Sequence, residues 1–149
     1  MTVDVRVAEQ RDADAVADVL ITSRRAAHPA VPASVHPDDE TRTWVRRHLL
    51  DACEVWVATA ETAVVGVLAL QDDWVEQLYV LREWSGKGVG GRLLERAKER
   101  SPGGLQLWTF VSNEAARTFY EHRGFMVVEQ TDGSGNEEHQ PDLRMVWRP

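Results

Sequence analysis

The sequence predicts an α+β fold built on a mixed sheet, and three observations predict it. Strand and helix patterns follow one another in the order β-α-α-β-β-β-α-β-α-β-β. A strand, Trp74 to Val80, leads into four glycines within six residues, and an amphipathic helix follows at once. The chain has 149 residues, 43% of them hydrophobic, which suits one domain, 1–149, with a packed core.

Val3-Asp4-Val5-Arg6-Val7 alternates apolar and polar, so it predicts a half-buried strand. Asp12 is placed to cap the next helix, in which Val16, Val19, Leu20 and Ser23 share a face. His28 to Pro37 carries three prolines and predicts a loop. A second helix opens at Asp38 or Asp39, with Thr41, Trp44, Val45, His48 and Leu49 on one face.

Glu54 to Ala60 reads as a strand, Glu61-Thr62 as a turn, and Val64 to Leu70 as a largely apolar strand. Asp72-Asp73 turns into the strand Trp74 to Val80. Period-two alternation sets Trp74, Glu76, Leu78 and Val80 on one of its faces. After the glycines, Val89, Leu93, Leu94 and Ala97 form a helix stripe that Pro102-Gly103-Gly104 ends. Leu105 to Val111 is a strand, and Asn113 opens the next helix. Gly124 suits a left-handed helix end, and Phe125 to Glu129 is a strand. Thr131 to Pro141 predicts a mobile polar loop, and Leu143 to Trp147 the last strand.

The glycine loop carries the first chemical signal. Glycine accepts positive φ, so this loop can curl and aim successive N–H groups at one point, at the positive end of a helix. That is an anion site suited to a phosphate or pyrophosphate. A side chain at Gly90 is expected to crowd such a group. Gly86, Gly88 and Gly91 formally fit the dinucleotide pattern G-x-G-x-x-G, but the next strand ends without the acidic residue that a ribose needs. A nucleotide P-loop needs Ser or Thr after Gly-Lys, and Lys87 is followed by Gly88.

Composition narrows the classes. A formal net charge of −7 argues against nonspecific nucleic-acid binding and is compatible with a cationic acceptor such as an amine. No apolar run approaches the ~20 residues of a membrane helix, and the N-terminus lacks a secretory pattern. The single cysteine, Cys53, has no internal partner, so a reducing cytoplasm fits. No His/Cys/carboxylate spacing suggests a metal site. The six tryptophans predict packing, with one or two lining a pocket.

Two motifs in order carry a family resemblance. Ser85 to Gly90 resembles motif A of the GCN5-related N-acetyltransferases, Gln/Arg-x-x-Gly-x-Gly/Ala, with Gly88 and Gly90 at the small positions. Ser85 departs from it, standing where Gln or Arg is usual. Asn113 to Phe125, an Asn, a helix carrying Phe119-Tyr120, then Gly124-Phe125, is similar to motif B. The resemblance is strong over residues 54 to 128 and architectural at the N-terminus.

The resemblance implies a mostly antiparallel sheet flanked by helices, split between the strands on either side of the glycine-loop helix. Acetyl-CoA enters that slot as co-substrate, and no metal takes part. An N–H of Leu78 would donate to the thioester oxygen, and Tyr79 and Val80 would pair with pantetheine amides. Gly86, Val89, Gly88, Gly90 and Gly91 would supply main-chain donors to the phosphates, with Ser85 and Lys87 beside them. Asn113 and Phe119 would touch the cofactor. Tyr120 would protonate the leaving thiolate, since a phenol is a donor at neutral pH. Glu76 is the candidate base that takes the amine proton, with a water network as the other route.

The expected activity is transfer of an acetyl group to a primary amine of a small molecule or protein, in a ternary complex. A degenerate acyl-CoA-binding sensor or interaction module is the alternative. No nucleic-acid or membrane partner is expected, and a homodimer is left open. His28 and His36 fall in the loop that borders the acceptor pocket in relatives, as loop residues rather than catalysts. Residues 28 to 40, Asp72-Asp73 and residues 131 to 141 are expected to shape the acceptor pocket.

Overall fold

A computed structural model describes residues 2–149. Strand β1 (Val3–Val7) passes through a 3-10 turn at Gln10–Asp12 into α1 (Ala13–Ala26). Helix α2 (Asp38–Trp44) continues as a π turn, Val45–Leu49, and a last turn, α3 (Leu50–Ala52). Strands β2 (Glu54–Ala60), β3 (Ala63–Gln71) and β4 (Trp74–Val80) follow. Helix α4 (Val89–Arg100), β5 (Leu105–Phe110), α5 (Glu114–Glu121), β6 (Phe125–Thr131) and β7 (Asp142–Trp147) complete the order. Apart from the short α3, this is the predicted succession.

The seven strands lie in the order β1-β2-β3-β4-β5-β7-β6. Neighbours are antiparallel except β4 and β5, whose connection through α4 makes them parallel. Two cores form because helices cover both faces. On one face Leu93, Leu94 and Ala97 of α4 pack with Tyr120 of α5 on Leu68, Leu70, Leu107 and Met145. On the other, Val16, Val19 and Leu20 of α1 and Val45 and Leu49 of the π turn pack on Val55, Val57 and Val67. Gly66 sets the closeness of α4 to β3, since a Cβ there would stand 3.0 Å from Leu93 Cδ1.

Three local expectations change. Asp12 sits at the start of α1, but its carboxylate does not cap the helix. It accepts from Arg6 through both oxygens, at 2.8 and 2.9 Å, and from the Glu9 N–H at 2.7 Å. The bidentate guanidinium is the stronger partner, and it lowers the Asp12 carboxyl to about 2. In α2 the π turn buries Val45 and Leu49 and leaves His48 exposed, because the extra residue per turn shifts the phase. Residues 132 to 141 are not loosely attached. Asn136 and Gln140 bond to each other twice, and Glu137 and Glu138 are paired to the N-terminal half.

Candidate active site

The sheet is open in its middle. Strands β4 and β5 pair at one position, Trp74 with Gln106, while the rest of β5 pairs with β7. Beyond Trp74 one edge of β4 therefore has no strand partner. Leu81 donates its N–H to Val65 of β3 at 2.9 Å. Alternation along an antiparallel strand then turns the Tyr79 amide toward β3 and the Leu78 and Val80 amides toward the open edge. The sequence expectation for Leu78 and Val80 agrees with this orientation. For Tyr79 the ladder turns the amide away, so a main-chain pairing with a ligand in the slot falls to its two neighbours.

A bulge sets the side chains. Ala69 pairs with Gln77 and Leu70 with Val75, so Glu76 is an extra residue in β4. Val75, Leu78 and Val80 consequently all pack in the α4-side core, although 75 and 78 differ by an odd step. The predicted alternation is thereby corrected, because the bulge separates Glu76 from Leu78 and Val80. Tyr79 packs on the α1 side, and Glu76 is exposed. Glu76 makes no ion pair among the described residues, and its charge reaches Cys53, whose thiol is raised by burial first and by Glu76 second.

The glycine loop has the predicted geometry. Gly86 and Gly88 take φ of +73° and +83°, and a Cβ on either would meet nothing within 4 Å. Backbone conformation, not crowding, demands glycine there. None of the N–H groups from Gly86 to Gly91 donates to a main-chain carbonyl, and the first bond of this segment runs from Arg92 to the Gly88 carbonyl at 3.0 Å. These donors lie at the N-terminus of the twelve-residue α4, which suits an anion. Ser85 is exposed, and Lys87 lies over the Trp84 ring at 5.2 Å.

Gly90 corrects one expectation. Its absent Cβ points at the Phe119 ring, 3.2 Å from two ring carbons, with Val80 Cγ2 at 3.8 Å. Glycine at 90 lets α4 close on α5, and bulk there would strike Phe119 rather than a bound phosphate. Arg123 lies over the Phe119 ring at 3.9 Å and donates to the Phe119 carbonyl at 3.0 Å. Asn113 caps α5 as predicted, accepting from the Ala116 N–H at 3.2 Å.

Tyr120 is 8% exposed, its ring 5.2 Å from Phe119 and 5.3 Å from Phe125. Burial, and then the neighbouring Tyr79, hold its phenol well above the usual range, so it keeps its proton at any ordinary pH. Its hydroxyl has no hydrogen-bond partner among the described residues. Among the described residues the one sealed, unpartnered side-chain polar atom is Ser23 Oγ. The Tyr120 hydroxyl is not among such sealed atoms.

A cavity of about 840 Å³ lies on the α1 side of β4. Gln77 and Tyr79 form its floor, Leu20, Ile21 and Arg24 of α1 one wall, and Thr41 and Trp44 of α2 another. His28, Ser34, His36 and Glu137 come from the two loops that were expected to shape an acceptor pocket. Asp72 does not join them, and lines a separate hollow with Glu54 and Arg100, while Asp73 accepts from Gln106 at 3.0 Å.

The sequence reading missed three residues here. Gln77 shares a face with Tyr79, so alternation from Tyr79 is the signal that could have found it. Arg24 and Glu138 pair at 2.9 Å, with side chains only 25% and 13% exposed. Both bear on the buried Tyr79 phenol, which burial raises above all. No local pattern links positions 114 apart.

The comparisons with known proteins point one way. A family model described as acetyltransferase (GNAT) domain matches residues 51–127. The chain is 27% identical to an "Uncharacterized N-acetyltransferase" of Archaeoglobus fulgidus, over 90% of this chain and 99% of the relative. It is 23% identical to the peptidyl-lysine N-acetyltransferase YiaC of Escherichia coli, over 84% of each. Among solved structures it superposes on the PaiA N-acetyltransferase of Thermoplasma acidophilum in complex with coenzyme A. That match has a TM-score of 0.79 at 20% identity, and covers all of both chains.

Proposed function

The chain belongs to the acetyltransferase (GNAT) family, and on that premise we propose that it moves an acetyl group from acetyl-CoA to a primary amine of a small molecule or protein. The whole chain serves as one acetyltransferase domain. The observation that carries this reading is the open edge of β4 beside six main-chain N–H groups without a main-chain acceptor. An extended amide-bearing arm ending in a pyrophosphate fits that pair of features, with amides on β4 and phosphates on the loop. The coenzyme A complex of the PaiA relative supports the same fit.

When bound, acetyl-CoA supplies the thioester that is cleaved. Gly86, Lys87, Gly88, Val89, Gly90 and Gly91 hold its phosphates through main-chain donors. The Leu78 N–H donates to the thioester oxygen as negative charge builds there. Val80 continues the main-chain pairing, and Phe119 and Asn113 border the slot. The amine approaches from the cavity over Gln77 and Tyr79. Its nitrogen forms the new C–N bond, the C–S bond breaks, and the thiolate takes the Tyr120 phenol proton. Glu76 takes the amine proton through water, since the bulge sets it apart from the cofactor-side residues Leu78 and Val80. Among the described residues no cation pairs with it.

Two measurements test the reading. Calorimetry with CoA should give a one-site isotherm unchanged by a chelator, and acetyl-CoA should release free thiol with members of an amine panel. No CoA binding at millimolar concentration sinks the proposal. Binding without thiol release from any amine leaves an acyl-CoA-binding module instead.

A further inference from the structure

The lining of the acceptor cavity includes one imidazole held between two carboxylates. His36, in the loop after α1, stands with Nδ1 3.2 Å from Glu40 of α2. Its Nε2 stands 3.0 Å from Glu137 of the β6–β7 loop. All three side chains line the cavity. A neutral imidazole has one N–H and can donate to one carboxylate, whereas only the imidazolium can donate to both. Both contacts can be donated at once only when the ring is protonated.

We propose that His36 is a proton-dependent clasp that ties residues 132 to 141 to α2 and thereby shapes the acceptor pocket. The clasp rests, for its effect on acceptors, on the acetyl-transfer reading. When His36 loses its proton, one of the two contacts must become an encounter of a lone pair with a carboxylate. The Glu137 side then lets go of α2, and the rim loosens.

The surrounding charges allow this. Asp38 of α2 is engaged by Arg25 at 2.7 Å, and Glu138 by Arg24 at 2.9 Å. Neither competes for His36. Ser34 accepts from the His36 main-chain N–H at 3.2 Å and keeps the residue in place in both states. His28 is the other titratable group of the same loop in the cavity. The two carboxylates raise the imidazole above its ordinary range. A raised group contributes fully below the ordinary histidine value, and its contribution is lost as pH climbs through the raised one. The clasp is therefore closed below the ordinary histidine value and opens as pH climbs through the raised one.

Hydrogen exchange tests the clasp without any need for turnover. Exchange of the segment 132 to 141 is compared between the natural chain and His36→Gln at equal pH, so that intrinsic exchange chemistry cancels. The clasp predicts roughly two- to fivefold faster exchange in the variant at pH 6, the range of an exposed ion pair, and no difference at pH 8.5. Glu137→Gln should show the same pattern. Equal exchange at pH 6 in both variants overturns the proposal.

Acceptor KM is the second readout. It should rise by a similar factor in both variants at pH 6 and converge with the natural chain at pH 8.5, while CoA affinity stays put. Altered exchange with no amine acetylated retains the clasp and sinks the transferase reading. Acetylation with neither readout moving does the reverse.

Discussion

Replacing Tyr120 with phenylalanine isolates the proposed acid. The ring remains, so its contacts with Phe119 at 5.2 Å and Phe125 at 5.3 Å remain. The hydroxyl that leaves has no hydrogen-bond partner among the described residues, so no buried donor or acceptor is stranded. Stability should change by less than about 0.5 kcal/mol, as for a substitution that removes no packing. The effect on chemistry is of another size. Losing a positioned proton donor lowers kcat by roughly 10²–10⁴-fold, or about 3–5 kcal/mol of transition-state stabilisation.

The pH profile adds an internal check. Burial and Tyr79 hold the phenol well above its ordinary range, so the natural enzyme should show no activity loss from Tyr120 ionisation up to about pH 9, below the ordinary phenol pKa of ~10. The assay is thiol release from acetyl-CoA at saturating amine, with CoA calorimetry and a thermal melt on the same sample. The reasoning predicts unchanged CoA affinity, an unchanged melt and a depressed kcat. A variant that melts lower yet turns over normally would show that Tyr120 is a packing residue and that the thiolate is protonated elsewhere.

Three further outcomes follow from the geometry. Glu76→Gln should lower kcat most at low pH, where deprotonating the amine is hardest, and a pH–rate profile parallel to the natural one removes Glu76 from the base role. Gly90→Val should destabilise the fold by about 1–3 kcal/mol, because its Cβ meets Phe119 at 3.2 Å; thermal melts check this, and unchanged stability contradicts the α4–α5 contact. Asp12, lowered from 3.8 to about 2, contributes stability that is present above its unfolded value and lost as pH falls through 4 toward 2. Denaturant melts should show roughly 2 kcal/mol more acid loss in the natural chain than in Asp12→Asn.

What the sequence alone determined is the local physics. Val3 to Val7, Glu54 to Ala60 and Trp74 to Val80 declare themselves as strands because their patterns need only the next residue or two. The glycine loop was legible for the same reason. Gly86 and Gly88 take positive φ, and that demand, followed directly by an apolar helix stripe, is written in consecutive residues. Asn113 as a cap and Gly124 as a helix end with φ of +92° are likewise local.

Tertiary structure decided everything that depends on what lies opposite. The bulge at Glu76 arises from how β4 registers against β3, and a single inserted residue reverses every side chain after it. That reversal, invisible in a period-two count, puts Val75 in the same core as Leu78 and parts Glu76 from Leu78. The same holds for Gly90, whose neighbour is a ring 29 positions on in another helix. It holds too for Asp12, drawn from its helix by Arg6 across a strand end. The pairs Arg24–Glu138 and His36–Glu137 join residues more than a hundred positions apart. Only the folded sheet brings such side chains within reach of one another, since an ion pair is recognised by distance in space and leaves no periodic trace along the chain.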